Sequence, residues 1–212
     1  MNVLVLGMIA GLLTARVCAA EILFAEDFSK VEPGPLPDDY LVLDGLFEVR
    51  EDGGNRFAEL PGAPLESFGF LFGSNQPSGV EATATIFGTK SGRKFPTFGL
   101  GLNGASGYRL QVAPAKNAVE LLRGDLVVAT APYAWESGTW THLRLALRKT
   151  GESTFRLEGT AWAASAEAPT EPLLTFDETL LQPAGKASVW GMPFAGTPIR
   201  FDNLAVRRLP AP

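Results

Sequence analysis

Along GVEATATIFG (79–88) apolar and polar side chains alternate: Val80, Ala82, Ala84 and Ile86 fall on one side, Glu81, Thr83 and Thr85 on the other. Successive side chains of an extended chain point to opposite faces, so this period of two predicts a strand buried on one face. TWTHLRLALRK (139–149) repeats the rhythm, with Leu143, Leu145 and Leu147 set against His142, Arg144 and Arg148. ILFAEDF (22–28), LFEVRE, RFAELPG, FGFLFG (68–73), STFRLEGTAW (153–162) and KASVWG (186–191) read as further strands. FPTFGLGLN (95–103), GYRLQVAP (107–114), AVELLRG (118–124) and DLVVATAP (125–132) are joined by short Gly- or Asp-containing turns, which predicts a meander. The Pro-rich VEPGPLPDDY (31–40) and the looser stretch 163–184 read as loops. About a dozen strands with one apolar face each fit an all-β fold, a two-sheet antiparallel β-sandwich. Breakers are spread so evenly that no interior segment longer than about ten residues escapes one, which leaves little room for a long helix.

The closing segment IRFDNLAVRR (199–208) breaks its own rhythm, since Ile199 and Phe201 share one phase and Leu204 and Val206 take the other. One inserted residue carries every later side chain to the opposite face, and a β-bulge absorbs it while the core face stays buried. Asp202-Asn203 is suited to that joint, because Asp and Asn tolerate unusual backbone angles. A second use is open to the same acid. If the first and last strands are neighbours, Glu26 and Asp27 approach Asp202, and three carboxylates with backbone carbonyls suit a structural calcium ion.

The chain opens MNVLVLGMIAGLLTARVCAA, an apolar run from Val3 to Leu13 followed by Cys18, Ala19 and Ala20. That length and ending are those of a signal peptide cleaved after Ala20, so residues 1–20 are expected to be a leader and 21–212 a single sandwich domain, secreted or periplasmic. The run is short of the roughly 20 apolar residues that span a bilayer, and no later segment approaches that length. Removing the leader removes Cys18, the one cysteine, so the core alone must supply stability. A formal charge of −5 argues against a nucleic-acid partner, which normally needs a basic face.

Scarcity limits the chemistry. His142 is the one histidine, which excludes multi-histidine zinc sites, and no nucleophile elbow accompanies it. GTKSGRK (88–94) has three residues between its glycines and Arg93 after the second, so it is not a phosphate loop. Lys90, Arg93 and Lys94 nevertheless make it a basic loop on an acidic protein. Glycoside hydrolysis needs two carboxyls roughly 5 to 9 Å apart. Glu81, Glu120 and Glu158 are single acids on separate strands; Glu120 and Glu158 are the candidate acid or base of an enzyme reading. The meander offers a different surface. With Phe98, Leu100 and Leu102 inward, Thr97, Gly99, Gly101 and Asn103 point outward beside Arg109 and Gln111. Two glycines predict a shallow trough rimmed by groups that hydrogen-bond sugar hydroxyls, with Trp135, Trp190 and Phe194 as stacking candidates. Asn103, Arg109, Gln111 and Trp190 are the candidate ligand-binding residues, for an oligosaccharide or polysaccharide.

FAEDFS at the mature start, the hairpin GTWTHLRLALRKTGESTFRLEGTAW, and the closing GKASVWG with IRFDNLAVRR together resemble the concanavalin A-like lectin/glucanase superfamily. The likeness is to its laminin-G-like jelly rolls, including secreted bacterial domains named for 3-keto-disaccharide hydrolase activity, and it covers most of residues 22–208. It implies a curved sandwich whose concave face often binds glycans, sometimes with a structural calcium. The acidic cluster of the glucanase members is missing. Three readings follow: a carbohydrate-binding module without catalysis, a glycoside hydrolase-like enzyme, or an envelope domain that presents loop 88–96 to a protein.

Overall fold

The computed structural model describes residues 21–62 and 66–210, so the expected leader lies outside the described residues. The chain begins with β1 (Ile22–Glu26), β2 (Gly34–Pro35), β3 (Leu41–Asp44), β4 (Glu48–Asp52) and β5 (Asn55–Leu60). Then come β6 (Phe68–Gln76), β7 (Val80–Phe87), β8 (Thr97–Leu102), β9 (Tyr108–Ala113), β10 (Ala118–Arg123) and β11 (Leu126–Pro132). It closes with β12 (Trp140–Lys149), β13 (Phe155–Ala163), β14 (Leu174–Glu178), β15 (Gly185–Met192) and β16 (Ile199–Arg208). The helical content of the described residues is one 3₁₀ turn, Pro114–Lys116.

All pairings are antiparallel and fall into two sheets. The nine-stranded sheet runs β14-β13-β12-β7-β16-β5-β4-β2, with β1 also on β16; the seven-stranded sheet runs β11-β10-β9-β8-β15-β6-β3. The expected meander is therefore real, since β8 to β11 are successive neighbours. Alternation does the layering. Ala82, Ala84 and Ile86 of β7 and Leu143, Leu145 and Leu147 of β12 meet Leu100, Leu110 and Leu121 of the other sheet in one continuous core. Aromatic rings fill one end, where Phe70 sits 5.0 Å from Phe47 and 5.4 Å from Tyr40. Each such side chain contributes about 1.5–3 kcal/mol by leaving water.

Three strands were not expected: β2 and β3 beside the Pro-rich loop, and β14 within 163–184. All three are terminal strands of their sheets. An edge strand that buries little carries little alternation, and all four residues of β3 are exposed; β14 does alternate, but over only five residues and with the acid Glu178 inward.

The register change in β16 is a bulge. Asp202 pairs with Thr85 and Ala205 with Thr83, three steps on β16 against two on β7. Asn203 takes the extra place at φ 50°, and Phe201 and Leu204 both remain in the core. Asp202 Oδ1 accepts the Asn203 backbone N–H at 2.6 Å, while Oδ2 accepts from Asn55 Nδ2 at 3.0 Å. The joint marks an exchange of neighbours: Ile199–Phe201 pair with β5, and Leu204–Arg207 pair with β1.

The Asn203 side chain is exposed, so replacing it tests backbone geometry and not packing. Asn203→Val should lose about 1–2 kcal/mol in urea unfolding, the cost of holding a side chain with a branched Cβ in the left-handed region. Asn203→Gly should stay within about 0.5 kcal/mol of the parent. Equal midpoints for parent and Asn203→Val would contradict the bulge assignment.

Candidate functional site

The outward residues of the seven-stranded sheet form two adjacent rows. One runs Gly69, Trp190, Gly99, Gln111, Glu120; the next runs Leu71, Ser188, Gly101, Arg109, Leu122. Arg109 and Trp190 stand in different rows and lean toward each other over the glycines. A Cβ at Gly69 would come 2.9 Å from the Trp190 ring, and one at Gly99 would come 3.2 Å from Arg109 Cγ. The glycines therefore seat these two side chains, and the surface is a platform instead of the open trough expected. Trp190 Nε1 donates to Ser188 Oγ at 2.9 Å, which fixes the indole, and the Arg109 guanidinium carbon lies 5.2 Å from the ring centroid.

Polar groups on this platform are unevenly satisfied. Glu120 is buried and accepts from Lys116 Nζ at 2.7 Å and from Gln111 Nε2 at 3.4 Å. Lys116 ends the 3₁₀ turn between β9 and β10, whose cap Asn117 sits at φ 51°. Gln111 Oε1 and Arg109 Nε are buried with no hydrogen-bond partner among the described residues. A buried unpaired polar atom costs about 1–3 kcal/mol, so two side by side on an outer face are unusual. Burial pushes the Arg109 guanidinium below its ordinary pKa, and the charge of Asp125 opposes that shift.

Other candidate residues have other duties. Asn103, at φ 63° just past β8, is buried and donates to the carbonyls of Pro77 and Pro183, both at 3.0 Å. Its amide Nδ2 ties two loops together. Glu158 pairs with Arg148 at 2.8 Å on the nine-stranded sheet, while Glu120 faces out from the seven-stranded one. The two acids stand on opposite outer faces and cannot flank one bond. Trp135 packs against the core beside Phe98. A further buried acid, Glu178, accepts from Arg123, Tyr108 and the backbone of Thr179 and Leu180; these bonds outweigh its desolvation and lower its pKa.

The three carboxylates considered for calcium do not assemble. Glu26 Oε1 accepts the Phe28 N–H at 2.7 Å, and Asp27 Oδ1 accepts from Ser29 N and Oγ at 3.0 and 2.6 Å. Both acids stabilise a turn in which buried Phe28 is held at φ 55°. Asp202 is committed to Asn55 and Asn203. Among the described residues no group of three or more His, Cys, Asp or Glu side chains is placed to hold a metal ion.

A groove of about 910 Å³ lies on the opposite outer face, between residues 25–30 and the loop after β13. Its floor includes Trp162, His142 and Thr85, a row across β13, β12 and β7. Sequence reasoning passed over Trp162, which the five-residue loop 150–154 between Lys149 and Phe155 places opposite His142. Two of the groove's polar side chains, His142 and Arg144, have partners within the protein. His142 Nδ1 shares a 2.9 Å hydrogen bond with Thr85 Oγ1, and its ring stacks 5.0 Å from Trp162. Arg144 donates to Pro169 O at 2.9 Å and Thr160 Oγ1 at 3.4 Å.

No protein-family model matches the chain, and no curated protein matches it. Solved structures do. Carbohydrate binding module CBM66 from Bacillus subtilis is similar at 11% identity and a TM-score of 0.54, over 80% of this chain and 95% of that one. The Emp47p carbohydrate recognition domain matches at 8% identity and a TM-score of 0.62, over 93% and 100%. A protein of unknown function with a galectin-like fold, also from Bacillus subtilis, matches at 13% identity and a TM-score of 0.58, over 89% and 96%. At such identities the likeness concerns architecture: the chain has the lectin-like jelly-roll fold.

Burial holds the His142 imidazole below its ordinary pKa. The unfolded chain therefore takes up the proton first, so the stability linked to His142 is complete above about pH 6.5 and declines as pH falls toward the folded value. Between about pH 7.5 and about pH 5.5 the parent should lose more unfolding free energy than His142→Gln. Equal losses would place the imidazole in solvent.

Proposed function

We propose that the chain is an exported carbohydrate-binding module, without catalysis, that takes a sugar chain on the outer face of the seven-stranded sheet. One observation carries the reading: the Arg109 guanidinium, whose two solvent-facing terminal nitrogens have no hydrogen-bond partner among the described residues, adjoins an indole laid over glycine backbone. Those nitrogens donate to the oxygens of a sugar, and a pyranose ring presents an apolar face to an aromatic ring, so this set suits a glycan better than an apolar ligand. The sandwiches named for carbohydrate recognition among the similar structures support it by analogy of fold. The same analogy, with the FAEDFS and IRFDNLAVRR segments, supports a place in the concanavalin A-like superfamily near its laminin-G-like members. Glu120, buried and already held by Lys116 and Gln111, is a positioning group here, which favours binding over hydrolysis.

Affinity electrophoresis through gels containing neutral and acidic polysaccharides tests the reading. Trp190→Ala should weaken retardation at least about tenfold, equivalent to roughly 1.4 kcal/mol. Trp190→Phe, which keeps a ring and loses the bond to Ser188, should retain part of it, and Trp162→Ala on the far face should retain all of it. Unretarded migration of the parent protein in every gel would reject the proposal.

A further inference from the structure

The binding reading leaves the chemical class of the sugar open, and Arg109 narrows it. Six arginines are half-buried among the described residues: Arg56, Arg109, Arg123, Arg144, Arg148 and Arg200. Four of these contact a carboxylate: Arg56 with Glu51, Arg123 with Glu178, Arg148 with Glu158, and Arg200 with Glu59 and Asp52. Arg144 has a carbonyl and a hydroxyl. Arg109 alone of the six makes no hydrogen bond or ion pair with a described residue. Its Nε is buried, whereas its two terminal nitrogens, equally unpartnered, are not among the buried atoms and so reach solvent.

Neighbouring charges do not remove the imbalance. Glu120 is the acid in the adjacent row, but Lys116 at 2.7 Å already offsets it. Asp125 acts on Arg109 only through its field. A guanidinium partly withdrawn from water without an acceptor is costly, and its two solvent-facing terminal nitrogens match the two oxygens of an anion. Trp190 holds the fork from one side, and Gly99 and Gly101 keep the backbone below it free of side chains.

We infer that the platform selects glycans carrying an oxyanion on the sugar ring, with Arg109 as the anion-binding residue and Trp190 as the adjacent ring platform. The inference rests on the sugar-binding reading of the same face. The source of the oxyanion is a uronate carboxylate or a sulfate ester. A formal charge of −5 disfavours polyanions in general, so a preference for them must arise locally.

The test uses the full exported chain and paired polymers: a polyuronate with its carboxyl-reduced form, and a sulfated galactan with its desulfated form. At least one anionic member should bind at least tenfold more tightly than its neutral partner, with the advantage shrinking as salt rises. Arg109→Gln should erase the advantage, and Arg109→Lys, which keeps charge without the fork, should keep only part of it. Because Arg109 makes no hydrogen bond or ion pair and only stacks on Trp190, Arg109→Gln should unfold within about 1 kcal/mol of the parent, which separates lost recognition from lost folding. Equal binding of anionic and neutral partners, or an advantage that survives Arg109→Gln, would overturn the inference and leave the sugar-binding reading standing. Absence of binding to all four polymers and to the broader gel panel would remove both.

Discussion

The hydrogen bond from the Asn203 backbone N–H to the Asp202 carboxylate, 2.6 Å long, holds the one backbone irregularity on which both faces of the sandwich depend. β16 lies inside the larger sheet, with β7 along one side and β5 followed by β1 along the other. Without the inserted residue, Leu204 and Val206 would turn to solvent and Arg207 to the core, a reversal costing several buried side chains at about 1.5–3 kcal/mol each. With it, both halves of the strand keep apolar side chains inward. Asp202 bears a cost for this duty: burial raises its pKa, and the charges of Asp27 and Glu26 add to the rise.

Once inward and outward positions are set, the two outer faces can be compared on equal terms. Each carries a tryptophan with an arginine over its ring, Arg144 on Trp162 and Arg109 on Trp190. The groove lies on the first face, yet volume is a poor guide here, because His142 and Arg144 on its floor have protein partners. On the second face the glycines bring the indole and guanidinium down onto the backbone, and polar atoms are left without partners. Native structures rarely leave such atoms buried, and the exceptions tend to mark places where something else supplies the bond.

Much of the fold was legible in the sequence, and the places where it was not share a cause. Central strands such as Val80–Phe87 and Trp140–Lys149 bury one full face and show a clean period of two. Gly34–Pro35 and Leu41–Asp44 sit at sheet edges, where little burial means little pattern; Leu174–Glu178 alternates over only five residues, and its third inward position is an acid, Glu178. Site residues divide likewise. Arg109, Gln111 and Trp190 could be placed on one face from alternation alone, because each lies within a regular strand. Asn103 could not, because it stands one residue past β8 in a left-handed conformation where alternation no longer applies. The grouping of Glu26, Asp27 and Asp202 was suggested by the pairing of β1 with β16, which is correct, but pairing does not reveal which local N–H groups occupy a carboxylate. Nor does composition reveal that glycines in an outward row will be covered by neighbouring side chains.

The account's central claim is that ligand meets the protein on the platform of Arg109 and Trp190. Four tryptophans give four indole N–H signals in a nitrogen-labelled sample, and each can be assigned by replacing one residue at a time. Titration with a bound oligosaccharide should shift the Trp190 signal while leaving that of Trp162, on the far face, in place. Movement of Trp162 with Trp190 unchanged would put the site in the groove and contradict the account.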